Sequence, residues 1–300
     1  MSLPNPDLSG LSTATRAWAE SGRWLDWDGR RIFVVERGSG PCVLLLHGFP
    51  TSAYDWQGVI ERLADDHRVV ALDFPGYGLS DKPDDYSYSL FQQADAVEAV
   101  ARQLRIEAAR VVSHDMGTSV HCELLARQNV RRLSFRITHS TLTNGSMLQW
   151  LAQITPFQHL LSTNSTLPEA MELCRTSMAE MYIPALRALM KRPEKLDEQM
   201  AAVMNELMAY QDGQLRLPAL SAYMRERYVH RDRWLGGLAS AGAALQFVWA
   251  DGDPIATVEM GRELKQMHRE ARYTELSNVG HFLIFEDPES VVREIRAAAA

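Results

Sequence analysis

The stretch Val111-Val112-Ser113-His114-Asp115-Met116-Gly117 decides how this chain of 300 residues is read. A β-branched run ends in a small residue, a spacer, a polar residue, a second spacer and a glycine, and Met116–Gln128 then carries a helical pattern. Small residues at Ser113 and Gly117 permit a tight, strained strand-to-helix turn that lifts the Asp115 side chain off the sheet. The helix N-terminus beneath favours negative charge there. Such a turn presents a nucleophile, here a carboxylate. The plainer alternative is that Asp115 only caps the helix, a role Asp favours.

On either side of this turn, short apolar segments alternate with helical patterns. Ile32–Glu36, Val43–His47, Val69–Asp73 and Val111–His114 read as strands; Ala53–Ala64 and Ser89–Leu104 read as helices, with Ser89 as N-cap. From about Asn144 to Trp234 the pattern is helical, cut by prolines at 156, 168, 184, 193 and 218. Alternation then resumes with Leu245–Ala250 as strand, Thr257–His268 as helix, Ala271–Leu276 as strand and Pro288–Ala297 as helix. The expected class is α/β, a mostly parallel sheet with helices on both faces and an inserted helical cap. The expected organisation is a loose arm over 1–20, a core over 21–140 and 233–300, and the cap over 141–232. The first two strand segments, joined near Arg37–Pro41, are expected to pair as an antiparallel hairpin. The helical stretch holds nine of the thirteen methionines. Most are expected to fill irregular core gaps and a minority to line a pocket.

Composition narrows the function. A net charge of −7 argues against nucleic acid or an anionic membrane as partner. No apolar run approaches the roughly 18 residues that cross a bilayer, and the first residues do not read as a signal peptide. Three cysteines cannot build a disulfide framework, so a reduced, cytoplasmic setting is expected. His47, His114, His121 and His281 lack metal-ligand spacing, and no glycine-rich phosphate loop is present. The expectation is no metal and no organic cofactor.

Three further segments carry chemistry. His47-Gly48-Phe49-Pro50 follows a buried strand, and the Phe49 backbone N–H there can join that of Met116 to form an oxyanion hole. His47 reads as a structural brace. Asp251-Gly252-Asp253-Pro254 offers two acids at the end of a later strand, and Gly280-His281-Phe282 a histidine after the last. Nucleophile, acid and histidine thus follow in chain order, each at a strand's carboxyl end.

These residues resemble the α/β-hydrolase superfamily over nearly the whole chain. An Asp at the turn is similar to its epoxide hydrolase and haloalkane dehalogenase branch, as are HGFPTSAYDW (47–56), ALDFPGYGLSDKP (71–83), SHDMG (113–117), WADGDP (249–254) and GHFLIFEDPE (280–289). Bacterial relatives of the mesoderm-specific transcript protein are also similar. The resemblance implies a triad of Asp115, Asp253 (the Asp just before Pro) and His281. It implies an alkyl-enzyme ester on Asp115, hydrolysed by water that His281 activates. It implies a cap donor for epoxide opening at Tyr223, and His159 stands where a second is expected, with Tyr182 as fallback. Trp150 and Asn144 are expected in the pocket. Met116 and Phe49 lack the side-chain donors that hold a halide in dehalogenases, so epoxide opening ranks above haloalkane or strained-lactone hydrolysis. A non-catalytic, hydrolase-like binding protein is the alternative class. The expected partners are a small apolar electrophile and water, and a homodimer is compatible with the sequence.

Overall fold

The computed structural model describes residues 3–4, 6–241 and 244–298. The outer limits of the expected 1–20 arm and 233–300 core segment, and the closing Ala299–Ala300, lie outside the described residues. Eight strands form one sheet: β1 Arg23–Trp27, β2 Arg30–Arg37, β3 Cys42–Leu46, β4 Arg68–Leu72, β5 Ala108–His114, β6 Arg136–Thr143, β7 Ala244–Ala250 and β8 Arg272–Leu276. Their order is β1-β2-β4-β3-β5-β6-β7-β8. β2 pairs antiparallel with β1 and β4, and every later pairing is parallel.

The central strands are apolar because helices cover both faces. Val43–Leu46 and Val69–Leu72 are wholly buried, each such side chain contributing about 1.5–3 kcal/mol. In-register pairing of Leu46 with Ser113 and of His114 with Thr143 brings the strands' carboxyl ends to one edge. The loops carrying Phe49, Asp115, Asn144, Asp253 and His281 all leave from that edge, where open α/β sheets place their sites.

Two expectations are corrected. The segments around β2 and β3 form no hairpin: β2 pairs with β4 instead, and β3 lies between β4 and β5. A strand as apolar as β3 belongs in the sheet centre, and the connection before it carries left-handed glycines at Gly38 and Gly40 that press against the end of the Gln57–Leu63 helix and the turn after it. The N-terminal arm is also not loose from Thr13 onward. Thr13–Glu20 is a helix capped by Ser12, and Trp18 is buried against Phe33 and Tyr54.

Between β6 and β7 the described residues form only helices and turns. This insertion is tied to the rest of the chain by several bonds, two sets of which anchor its helices. Ser12 donates its backbone N–H to Glu206, linking it to the N-terminal helix. Glu123 accepts from Arg127, Arg233 and Trp234, joining the helix Met116–Asn129 to Arg231–Ala239.

Candidate active site

Asp115 sits at the β5–helix junction with φ 44° and ψ −116°, a conformation costly for a residue with a Cβ. Its neighbours make that geometry possible. A Cβ on Gly48 would lie 2.7 Å from the Asp115 Cβ, and one on Gly117 would lie 2.5 Å from the His47 carbonyl oxygen. The Asp115 carboxylate does not cap its helix. Its Oδ2 accepts the Phe49 N–H at 3.0 Å, while Oδ1 is buried without a hydrogen-bond partner. The Met116 N–H does not bond this carboxylate; the Met116 sulfur accepts from the Tyr77 hydroxyl at 3.2 Å.

Facing it, His281 is buried, its Nδ1 2.8 Å from Asp253 Oδ2 and its Nε2 unpartnered. Asp253 is held in turn, its Oδ1 accepting from the N–H groups of Ile255 and Ala256. Burial opposes a charged imidazole, but the charge and hydrogen bond of Asp253, with Asp115 and Glu286 nearby, outweigh it and raise the His281 pKa above 6.5. Of the two acids, Asp253 is the one on the histidine; Asp251 accepts the Asn278 N–H and is exposed.

Two further buried histidines beside the site are structural. His47 bridges the Gly48 carbonyl and the Phe74 N–H, and burial pushes it down to about 3, so it braces the turn as a neutral ring. Buried His114 packs against His281 with ring centroids 4.9 Å apart, its own pKa pushed well down by burial and by the His281 charge. Among the described residues no group of three His, Cys, Asp or Glu side chains could hold a metal ion.

From the insertion, Tyr223 packs on Phe49 (5.4 Å between centroids), and its hydroxyl pKa is raised by burial and by Asp115. A cavity of about 610 Å³ opens above Phe49, Pro50 and Ile255, walled by Phe157, Leu173, Met178, Met181 and Leu186. Two of the nine methionines of the helical stretch thus line it. Tyr182 also lines it, but its hydroxyl donates to the Pro50 carbonyl at 3.3 Å.

Three expectations are corrected, the donor His159 and the pocket residues Trp150 and Asn144. His159 is exposed on the helix Pro156–Ser162, and the adjacent Gln158 lines the cavity instead. The capping box explains the offset: Gln158 Oε1 accepts the Thr155 N–H, which turns this side chain back over the helix start and leaves its amide NH₂ beside Tyr223. Trp150 is 60% exposed and lines no part of the cavity. Asn144 is buried, but it braces the loops: it donates to the Gly280 and His281 carbonyls and accepts the Ala250 N–H. Sequence reading also missed Arg227, one turn after Tyr223, which donates to the Asp115 carbonyl and to Ser119. An arginine in the charged run Arg225-Glu226-Arg227 gives no sign of being buried.

Comparison with known proteins agrees with this architecture. The model of the α/β-hydrolase fold family matches residues 41–288, and the chain belongs to that family. It is 36% identical over 281 residues to the LipZ protein of Mycobacterium tuberculosis, covering 93% of this chain and 96% of that one. It is 34% identical over 300 residues to the human mesoderm-specific transcript homolog protein, covering 95% and 87%. The crystal structure of Cfl2 from Burkholderia cenocepacia superposes with a TM-score of 0.76 at 25% identity, covering 92% and 94%. Structures named as epoxide hydrolases and as haloalkane dehalogenases share the fold as well.

Proposed function

We propose that this α/β hydrolase opens epoxides through a covalent ester on Asp115. The observation that carries the reading is the Asp115 carboxylate itself: aligned by the Phe49 N–H, unused as a helix cap, and buried with Oδ1 unpartnered. A carboxylate is a competent nucleophile for in-line displacement at saturated carbon. An Asp115 oxygen attacks an epoxide carbon; the carbon–oxygen bond breaks, and its electron pair goes to the ring oxygen, which takes the Tyr223 proton. Water then attacks the Asp115 carboxyl carbon and gives a proton to His281 Nε2. The tetrahedral oxyanion forms where the Phe49 N–H already points, with the Met116 N–H as the expected second donor. Its collapse releases the diol, which takes the proton back from His281. The Asp115 carboxyl proton returns to Tyr223, and the net change is epoxide plus water to diol.

The cavity sets the substrate's character. Its walls are aliphatic and aromatic, with Thr155, Gln158, Tyr182 and Glu169 as the polar or charged contributors, which suits an apolar electrophile. Halide displacement by the same nucleophile is the second reading, favoured by the buried cation Arg227, whose Nη2 lies 3.7 Å from Asp115 Oδ1. Intact-mass analysis of a His281→Gln variant given matched epoxides and alkyl bromides decides between them. An epoxide adduct on Asp115 is expected, and an adduct from the bromides alone overturns the epoxide reading.

A further inference from the structure

Arg227 is only 5% exposed, yet among the described residues no carboxylate lies within hydrogen-bond distance of it. Burying an ion costs several kcal/mol unless close partners compensate. A neutral side chain would tie the insertion to the sheet at this place for less. What the guanidinium does touch is specific. Nε donates to Ser119 in the first turns of the helix behind the turn, at 2.7 Å. Nη2 donates to the Asp115 carbonyl at 2.9 Å and lies 3.7 Å from the unpartnered Oδ1. The guanidinium carbon stands 4.6 Å from the centre of the Tyr223 ring, one helical turn earlier.

We propose that Arg227 is a positioning residue that registers the proton donor Tyr223 against Asp115 and places positive potential at both. The inference rests on the roles assigned above to those two residues. In the displacement, negative charge leaves the Asp115 carboxylate and arrives at the oxygen held by Tyr223. One fixed cation in contact with both groups remains in place as the charge moves, so no reorganisation is needed at that moment. It also fixes the strained Asp115 backbone from the insertion side, so the donor cannot drift from the nucleophile. Other titratable groups near Arg227 are Tyr77, from the loop after β4, Cys122, on the helix that carries Ser119, and Arg231, a like charge one turn on that shares a small pocket with it. Neither thiol nor phenol supplies it with a counter-charge: burial raises the pKa of both.

The test compares Arg227→Met, which removes charge and fork, with Arg227→Lys, which keeps the charge. Both are made in the full chain carrying His281→Gln. The rate of Asp115 alkylation by an aryl epoxide, followed by intact mass, is expected to fall about 100-fold in Arg227→Met, the scale of losing one preorganised donor, and Arg227→Lys is expected to recover about a tenth of the parent rate. A second readout needs no reaction. A polyfluorinated tyrosine placed at position 223 brings that phenol's ionisation into an accessible range. Arg227→Met is expected to weaken its acidity about tenfold, whereas Arg227→Lys leaves it near the parent value. Alkylation within twofold of the parent in Arg227→Met overturns the proposal. Equal losses in both variants with unchanged phenol acidity also overturn it, since that pattern belongs to a purely structural link. If no epoxide alkylates the His281→Gln parent, the epoxide reading falls and the phenol titration alone decides: moved acidity sustains the proposal, unmoved acidity ends it.

Discussion

The sheet edge and the helical insertion contribute to the same site in different ways. From the sheet edge come Asp115, Asp253, His281 and the Phe49 N–H, each at the carboxyl end of a strand and each held by backbone hydrogen bonds or a neighbouring turn. From the insertion come Tyr223, Gln158, Arg227 and most of the cavity wall, held by helix packing and side-chain contacts. Backbone geometry at strand ends leaves a local mark in sequence. Positions on short packed helices leave none, because which face points inward depends on contacts made far along the chain. On the proposed reading, the sheet edge would supply the nucleophile and base, and the insertion would set the leaving group and the substrate.

Removing the nucleophile gives the largest expected effect. Asp115→Asn is expected to lower turnover by about four to six orders of magnitude, with no adduct in the mass of the protein. His281→Gln is expected to lose turnover on a similar scale but to accumulate the ester, because attack on substrate needs the carboxylate and hydrolysis needs the base. If both variants behave alike in the mass spectrometer, the division of labour at the sheet edge is wrong.

Next comes the insertion. Tyr223→Phe is expected to slow alkylation by epoxides about 100-fold, the usual scale of losing a general acid, and alkylation by an alkyl bromide by less than about threefold. Equal effects on both electrophiles would erase the contrast between the two regions.

The pH dependence is a smaller effect and belongs to the sheet edge. The His281 pKa is raised above its ordinary value of 6.5, and the base works only as the neutral ring. Ester hydrolysis is therefore expected to fall as pH drops through the His281 value, which in the ester is held up by Asp253 alone of its two facing aspartates, since esterified Asp115 carries no charge. The same shift gives the folded protein stability that is complete below the unfolded value and lost as pH rises through the folded one. An acid limb of kcat clearly below about 6 would contradict the hold of Asp253 on His281.

The smallest effects test the corrected residues. His159→Ala and Trp150→Ala are expected to change epoxide turnover by less than about twofold, since exposed side chains away from special features seldom matter. Gln158→Leu is expected to raise KM or slow alkylation more than either. Steady-state kinetics on the three variants ranks them.

How much was legible follows the same division. β3, β4, β5 and β7 are runs of buried apolar residues ending at turns, and their sequences read as strands. β6, Arg-Ile-Thr-His-Ser-Thr-Leu-Thr, does not, because its polar side chains serve buried bonds: Ser140 to His121, Thr141 to Gln246, Thr143 to the Ser113 carbonyl. β1, Arg-Trp-Leu-Asp-Trp, is a half-exposed strand at the sheet's edge whose apolar residues Trp24, Leu25 and Trp27 do not alternate with polar ones, so no strand period shows. In the site, Asp115 and His281 were legible from their turns, and the choice of Asp253 over Asp251 came from resemblance rather than spacing. Tyr223 is legible from its context only as a residue of the insertion, and at the position where a second donor is expected His159 is exposed while Gln158 lines the cavity. Helical periodicity alone could not tell which of those neighbours the capping box turns toward the cavity.

A single turnover in heavy-oxygen water tests the central claim most directly. With enzyme in excess over an apolar epoxide, the account predicts that the diol's new oxygen is light, because it comes from the Asp115 side chain. The heavy oxygen is then found in the peptide containing Asp115. Heavy oxygen in the first diol formed, with Asp115 unlabelled, would mean that water attacks the substrate directly and that no ester on Asp115 is formed.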